Sequence, residues 1–119
     1  MATNRNFRTC PTTGLVFHEP AEKLMRWNAV VAVVALLVGG LLAIGVLLTR
    51  WQAVHLLPAD LFYQFLTAHG LNMLVYWIIF FEIAILYFAS STLLRCRLAT
   101  PRMAWAGFWL MVAGALLNN

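Results

Sequence analysis

The sequence predicts an all-α transmembrane protein with three helices, the third of them incomplete, which form part of a larger helical bundle. Composition is the first reason: 63% of the 119 residues are hydrophobic and 10% are charged, whereas soluble proteins have about 45–50% and about 25%. So few charged side chains cannot cover the apolar surface, and the chain therefore needs lipid around it. In a membrane protein, basic residues indicate the orientation of the chain, so the net charge of +4 is interpreted from the position of each basic residue. We therefore expect no nucleic-acid partner.

Three apolar runs give the predicted spans. Residues 27–49 contain no ionisable side chain and exceed the roughly 20 residues that cross a bilayer. Residues 61–94 hold Glu82 as their one charged group, with His69 as a second titratable side chain. Residues 103–119 begin a third helix whose apolar part would rise only about 23 Å, less than a hydrocarbon core of about 30 Å. We expect the chain to be the front end of a longer polypeptide, with a half-crossing helix as the alternative.

The basic residues are distributed unequally, and this distribution predicts the orientation. The arm over residues 1–26 carries four of them and the loop over residues 95–102 carries three, whereas the loop over residues 50–60 carries only Arg50. Lys and Arg in short loops stay on the cytoplasmic side. We therefore expect the N-terminal arm and the second loop in the cytoplasm and the first loop in the periplasm. We expect the arm to be mobile apart from a short helix near Glu19.

His69 is the candidate cofactor ligand. A histidine inside a span is uncommon and is a functional-site hypothesis by default, and a neutral imidazole is a good axial ligand for haem iron. At helical spacing, five apolar or aromatic residues share its side: Phe62, Phe65, Met73, Tyr76 and Phe80. The alternative is a histidine that hydrogen-bonds to a neighbouring helix, with aromatic residues that only pack.

Glu82 is a candidate proton-relay carboxyl, or else a neutral acid hydrogen-bonded to a neighbour. It lies about 20 Å further along the helix than His69 and about 140° around it, so the two side chains cannot share one ligand. On the first helix, Ala35, Gly39 and Ala43 recur every four residues. Such a stripe of small residues lets another helix approach closely.

The remaining polar groups favour ordinary roles. Asn72, one turn from His69, predicts an interhelical hydrogen bond. Cys10 and His18 lack the paired spacing of metal ligands, which favours an ordinary cytoplasmic arm. Cys10 and Cys96 both fall on the reducing side of the membrane, and we expect free thiols there.

The segment around His69 resembles a known motif. Residues 66–73 read LTAHGLNM and follow a Phe62–Tyr63 pair. This pattern resembles the start of the second helix in subunit I of haem-copper oxidases, in the form found in cytochrome c oxidases outside the mitochondrial type. In that family the histidine of the motif is an axial ligand of the low-spin haem, and the resemblance assigns this role to His69. It covers roughly residues 24–119.

The resemblance implies the N-terminal part of the catalytic subunit of a terminal oxidase in the bacterial inner membrane. Electrons would pass from cytochrome c, or quinol, through the low-spin haem to a haem–copper centre that reduces O2 to water with proton translocation. The high-spin haem and the copper would lie in later helices, so the partners are the rest of subunit I, other oxidase subunits and lipid. Because His69 is the one histidine within a span, no catalytic residue is assigned and we expect these residues alone to be inactive.

Two other functions stay open at this point. A nitric oxide reductase of the same superfamily would share the fold and the histidine ligand. A cofactor-free accessory subunit of a membrane complex would use His69 only for packing.

Overall fold

The computed structural model describes residues 6–119. The molecule measures 69 × 30 × 16 Å along its principal axes and consists of a short β-hairpin and three helices. The middle helix is continuous over Ala59–Thr92 but contains a π-helical segment, which we name the π turn. The elements are β1 (Phe7–Thr9), β2 (Val16–His18), α1 (Glu19–Arg50), α2 (Ala59–Leu71), the π turn (Asn72–Tyr76), α3 (Trp77–Thr92) and α4 (Pro101–Leu117).

The predicted class of an apolar three-helix chain is confirmed. Glu19–Arg50 and Ala59–Thr92 are long and apolar enough to cross a membrane, and α4 is a shorter apolar helix. The short helix expected near Glu19 is the first turn of α1, where Pro20 occupies a position that needs no N–H donor. Acidic residues in this first turn and Arg50 in the last turn complement the helix dipole.

The expectation of a mobile arm is wrong for residues 6–18, which form an antiparallel hairpin in contact with α3. Phe7 pairs with His18, and Gly14 has a φ of 67° in the turn, a conformation that glycine adopts without strain. The backbone N–H of His18 donates to Ser91 Oγ over 2.7 Å, across 73 positions of sequence. Strands of three residues are not stable by themselves, so this docking orders the arm.

His18 joins the hairpin to the loop that follows α3. It is 3% exposed, and its Nδ1 accepts a long hydrogen bond of 3.4 Å from the backbone N–H of Leu98. Burial lowers the pKa of His18, the positive charge of Arg97 lowers it further, and Glu19 opposes both effects. The neutral ring is therefore the form that the docked hairpin holds.

α1 packs against α2 and α3 through small residues. Ala35 and Gly39 are buried in this contact, and Ala43, the third residue of the predicted stripe, is partly buried. The contact at Gly39 is close: a Cβ there would lie 2.8 Å from Met73 Cγ and 3.2 Å from Asn72 Cβ. A side chain at this position would require Met73 to shift and would crowd Asn72.

α4 joins the other helices through Phe108. This residue is 4% exposed and meets Phe80 edge to face, with the ring centroids 6.1 Å apart. Such aromatic pairs contribute about 0.5–1.5 kcal/mol beyond the area they bury. Phe108 and Phe80 form the core of the bundle together with Leu24 and Ala32.

Gly39→Ala is expected to reduce the stability of the helix packing by about 1–3 kcal/mol, because the new methyl overlaps Met73, which must shift, and crowds Asn72 Cβ. The matched control is Gly40→Ala, where a Cβ meets nothing within 4 Å and alanine favours the helix by about 1 kcal/mol over glycine. Thermal unfolding in detergent micelles measures both variants. Equal unfolding temperatures for wild type and Gly39→Ala would contradict the close contact.

Acidification is expected to weaken the docking of the hairpin through His18. The pKa of His18 is about 6.5 in the unfolded chain and is lower in the folded chain. Its contribution to the stability of the folded state is therefore complete above pH 6.5. This contribution is lost as the pH falls from 6.5 through the folded pKa. Thermal unfolding of wild type and His18→Gln at pH 7.5 and pH 5 measures the effect. The carboxyl of Glu22 stays ionised over this range, because a hydrogen bond from Arg26 lowers its pKa below the ordinary value.

The variant is expected to lose less stability between the two pH values than wild type. His55→Gln is the control, since His55 is exposed in the loop between α1 and α2, and it should follow wild type. The same pH dependence in His18→Gln and wild type would show that the hairpin does not titrate through His18.

Candidate functional site

His69 lies near the end of α2 and is partly buried on the side of the helix that faces α1. Its Nδ1 is 2.8 Å from the backbone carbonyl oxygen of Gly39 on α1. Gly39 is also the position where the side chain of Met73 packs closely against the backbone of α1. The absence of a side chain at Gly39 thus brings its carbonyl within reach of the imidazole.

This hydrogen bond decides which ring nitrogen of His69 is available to a ligand. A carbonyl oxygen can only accept, so Nδ1 must carry the proton and donate it to Gly39. In the neutral ring, Nε2 then holds the lone pair. Metal-binding histidines are usually held in this way, with the second ring nitrogen donating to a carbonyl or a carboxylate. The free Nε2 of His69 is therefore chemically suited to form one axial bond to a haem iron.

The π turn begins three residues after His69, and the sequence analysis missed it. The backbone N–H of Asn72 bonds to the carbonyls of both Ala68 and His69, while the N–H of Trp77 bonds to the carbonyl of Asn72. The side chain of Asn72 also donates to Ala68, over 2.8 Å. An asparagine that competes for helix carbonyls is the one sequence signal for this distortion. π-helical turns occur frequently at functional sites.

Asn72 also hydrogen-bonds to a residue outside its own helix, although this partner follows α4 and lies in no helix, unlike the interhelical bond that the sequence predicts. Its Nδ2 donates to the side-chain oxygen of Asn119, just after α4. Nearby, Asn118 donates to the hydroxyl of Tyr76 over 2.8 Å. The π turn is therefore held by α1 on one side and by the residues after α4 on the other.

Phe65 and Met73, one turn before and one turn after His69, both contact α1. A Cβ at Gly45 would lie 3.0 Å from the ring of Phe65, and a Cβ at Gly39 would lie 2.8 Å from Met73. These two side chains fill the interhelical contact on either side of the imidazole. They fix the ring between α1 and α2.

The other three predicted neighbours of His69 also contact protein. Phe62 lies under the guanidinium of Arg50, 5.9 Å from its Cζ. Phe80 belongs to the core and is 1% exposed, and the hydroxyl of Tyr76 accepts a hydrogen bond. These aromatic residues therefore pack against protein, as in the alternative in which they have only a packing role.

Glu82 does not meet His69. It is exposed on α3, beyond the π turn, and it forms no ion pair with any residue in the part of the chain that the structure describes. Its carboxyl therefore faces away from the contacts among these three helices. In a larger bundle, this is the face that further helices would meet.

Cys10 and His18 lie at opposite ends of the hairpin. Cys10 follows β1 at the turn, whereas His18 ends β2. Hydrogen bonds from Thr13 and Thr12 lower the pKa of the Cys10 thiol to about 7. Cys10 and Cys96 are both free thiols.

Comparison with known proteins gives one match. Neither the curated proteins nor the solved structures contain a match to the chain. The family model described as cytochrome c and quinol oxidase polypeptide I matches residues 23–119, which include His69, Gly39, the π turn and all of the three helices except the first four residues of α1. This match confirms the resemblance found at residues 66–73. The chain belongs to the cytochrome c and quinol oxidase polypeptide I family.

Proposed function

We propose that the chain supplies an axial ligand of the low-spin haem in a haem-copper oxidase subunit I, through Nε2 of His69. The hydrogen bond from Nδ1 of His69 to the carbonyl of Gly39 carries this proposal, because it leaves Nε2 as the free donor atom. Family membership gives the context, since proteins of this family bind haem and copper.

The residues around the imidazole position it for this role. The carbonyl of Gly39 fixes the tautomer and the ring orientation, and a hydrogen bond of this kind makes the ligating nitrogen more basic. The contacts of Phe65 and Met73 with α1 prevent the ring from moving along the helix axis. When bound, the haem would supply one-electron transfer, and the chain itself supplies the ligand and its alignment.

The position of His69 along α2 agrees with a haem near one membrane surface. Ten residues separate it from Ala59 at the start of α2, which corresponds to about 15 Å of helix. Arg50 lies at the end of α1 next to the first loop, whereas the other described basic residues lie at the opposite end of the bundle. By the positive-inside rule, this asymmetry supports a periplasmic first loop and a cytoplasmic N-terminus, which is the orientation that we propose in a bacterial inner membrane.

The family assignment supports a wider activity for the complete subunit. Electrons from cytochrome c or quinol would reach the low-spin haem and then a haem–copper centre, where O2 is reduced to water with proton translocation. A second axial ligand, the high-spin haem and the copper would come from the rest of subunit I. This chain contributes one imidazole, so its role is ligation and not the oxygen chemistry itself.

His69→Ala in the assembled complex is expected to abolish the absorption band of the low-spin haem, because the iron loses one of its two axial ligands. His55→Ala, in the exposed loop, is the control and should keep the band at full strength. The copper content and the high-spin haem signal report whether the variant complex assembles. A full low-spin band in His69→Ala would favour a cofactor-free role for this chain.

Glu82→Gln is expected to slow O2 consumption and proton uptake together if Glu82 relays protons, because glutamine cannot release one. Asp60→Asn is the control, since Asp60 is an exposed carboxylate in the first turn of α2. Oxygen-electrode and pH-electrode measurements on reconstituted vesicles give both rates. Wild-type turnover and proton uptake in Glu82→Gln would leave Glu82 as a packing residue.

A further inference from the structure

The end of the bundle that carries the hairpin is rich in basic residues. The start of α1, the loop after α3 and the start of α4 contribute to it together with the hairpin. The two carboxylates at this end are Glu19 and Glu22, and Glu22 is already paired with two arginines. The basic residues described at this end are Arg8, Lys23, Arg26, Arg95, Arg97 and Arg102.

Three arginines near the loop after α3 have no acidic partner. Arg8 and Arg26 contact Glu22 at 2.5 and 2.7 Å. Within residues 6–119, no carboxylate lies within ion-pair distance of Arg95, Arg97 or Arg102. These three charges form a positive surface that an anion can neutralise.

A cavity of about 200 Å³ opens at this surface, between the first turn of α1, the last turns of α3 and the loop. Arg97 and Tyr87 are among its lining residues, and within residues 6–119 neither side chain hydrogen-bonds to another side chain. The hydroxyl of Ser90 already donates to the carbonyl of Tyr87 over 3.2 Å. No carboxylate lines the cavity, so its chemistry suits an anion that accepts hydrogen bonds.

Apolar side chains surround the same region. Leu93 and Leu94, which connect α3 to the loop, are 74% and 71% exposed, and Met103 at the start of α4 is 72% exposed. These residues lie where the apolar part of α3 ends and the arginines begin. Cations beside exposed apolar side chains at the end of a span match a lipid, which has a charged headgroup above acyl chains.

We propose that this cavity binds the headgroup phosphate of an anionic phospholipid. Arg97 and Tyr87 donate hydrogen bonds to the phosphate, and charge-assisted bonds of this kind are the strong ones. Arg95 and Arg102 add longer-range attraction. Leu93 and Leu94 contact the acyl chains. The proposal does not depend on haem ligation by His69.

The test measures lipid selectivity in the complex that contains this chain, purified in mild detergent. Native mass spectrometry with phosphatidylglycerol and phosphatidylcholine gives the ratio of the two lipids that are retained. Arg97→Gln is expected to lower the preference for phosphatidylglycerol by about tenfold, the equivalent of one charge-assisted hydrogen bond. Arg97→Lys should restore part of the preference, because it restores the charge.

Two further variants distinguish lipid binding in the cavity from attraction by the overall positive charge of the chain. Tyr87→Phe removes a hydroxyl without altering charge or shape, and it should lower the amount of phosphatidylglycerol that is retained about threefold even if Arg97→Gln fails to fold. Arg50→Gln removes one positive charge at the opposite end of the bundle and should leave the preference unchanged. Equal losses in Arg50→Gln and Arg97→Gln, or no loss in Arg97→Gln and Tyr87→Phe, would overturn the proposal.

Inorganic phosphate tests the source of the anion. In the lipid-bound complex, free phosphate should not displace phosphatidylglycerol, because it lacks acyl chains to contact Leu93 and Leu94. Displacement of phosphatidylglycerol by free phosphate would show a site for soluble anions and would overturn the assignment to a lipid.

Discussion

The structure depends on the contact between Gly39 and the middle helix. Because Gly39 has no side chain, Met73 and Asn72 approach its backbone, and its carbonyl comes within 2.8 Å of the ring of His69. The absence of a side chain at Gly39 thus allows α1 to lie close to the middle helix. The hydrogen bond to its carbonyl then orients the imidazole of His69 and leaves Nε2 free. The proposed ligand is therefore held by the backbone of a neighbouring helix and not only by its own.

The two ends of the bundle have different character. At one end the hairpin docks through His18 and Ser91, and the unpaired arginines of the loop after α3 form a basic surface. At the other end, Arg50 in the last turn of α1 is the one basic residue described, and its guanidinium lies over Phe62. A proposed lipid site at the basic end and a proposed haem site nearer the other end would divide the chain between anchoring in the bilayer and electron transfer.

The helices and the stripe of Ala35 and Gly39 were predictable from the sequence, because long apolar runs and small-residue spacing are local patterns. The docked hairpin was not, since it depends on a hydrogen bond to Ser91 across 73 positions. The π turn was not either: Asn72 at its start is a weak local signal, and its side-chain bond to Asn119 is long-range. The hairpin and the π turn thus depend on contacts between distant segments, which the periodicity of the sequence does not show.

The most direct test of the central claim is a high-resolution cryo-electron microscopy map of the assembled complex, with its haems in place. We expect continuous density between Nε2 of His69 and the iron of the low-spin haem, with Nδ1 still in contact with the carbonyl of Gly39. A map in which that iron is held by two other residues, while His69 contacts only neighbouring side chains, would contradict the account.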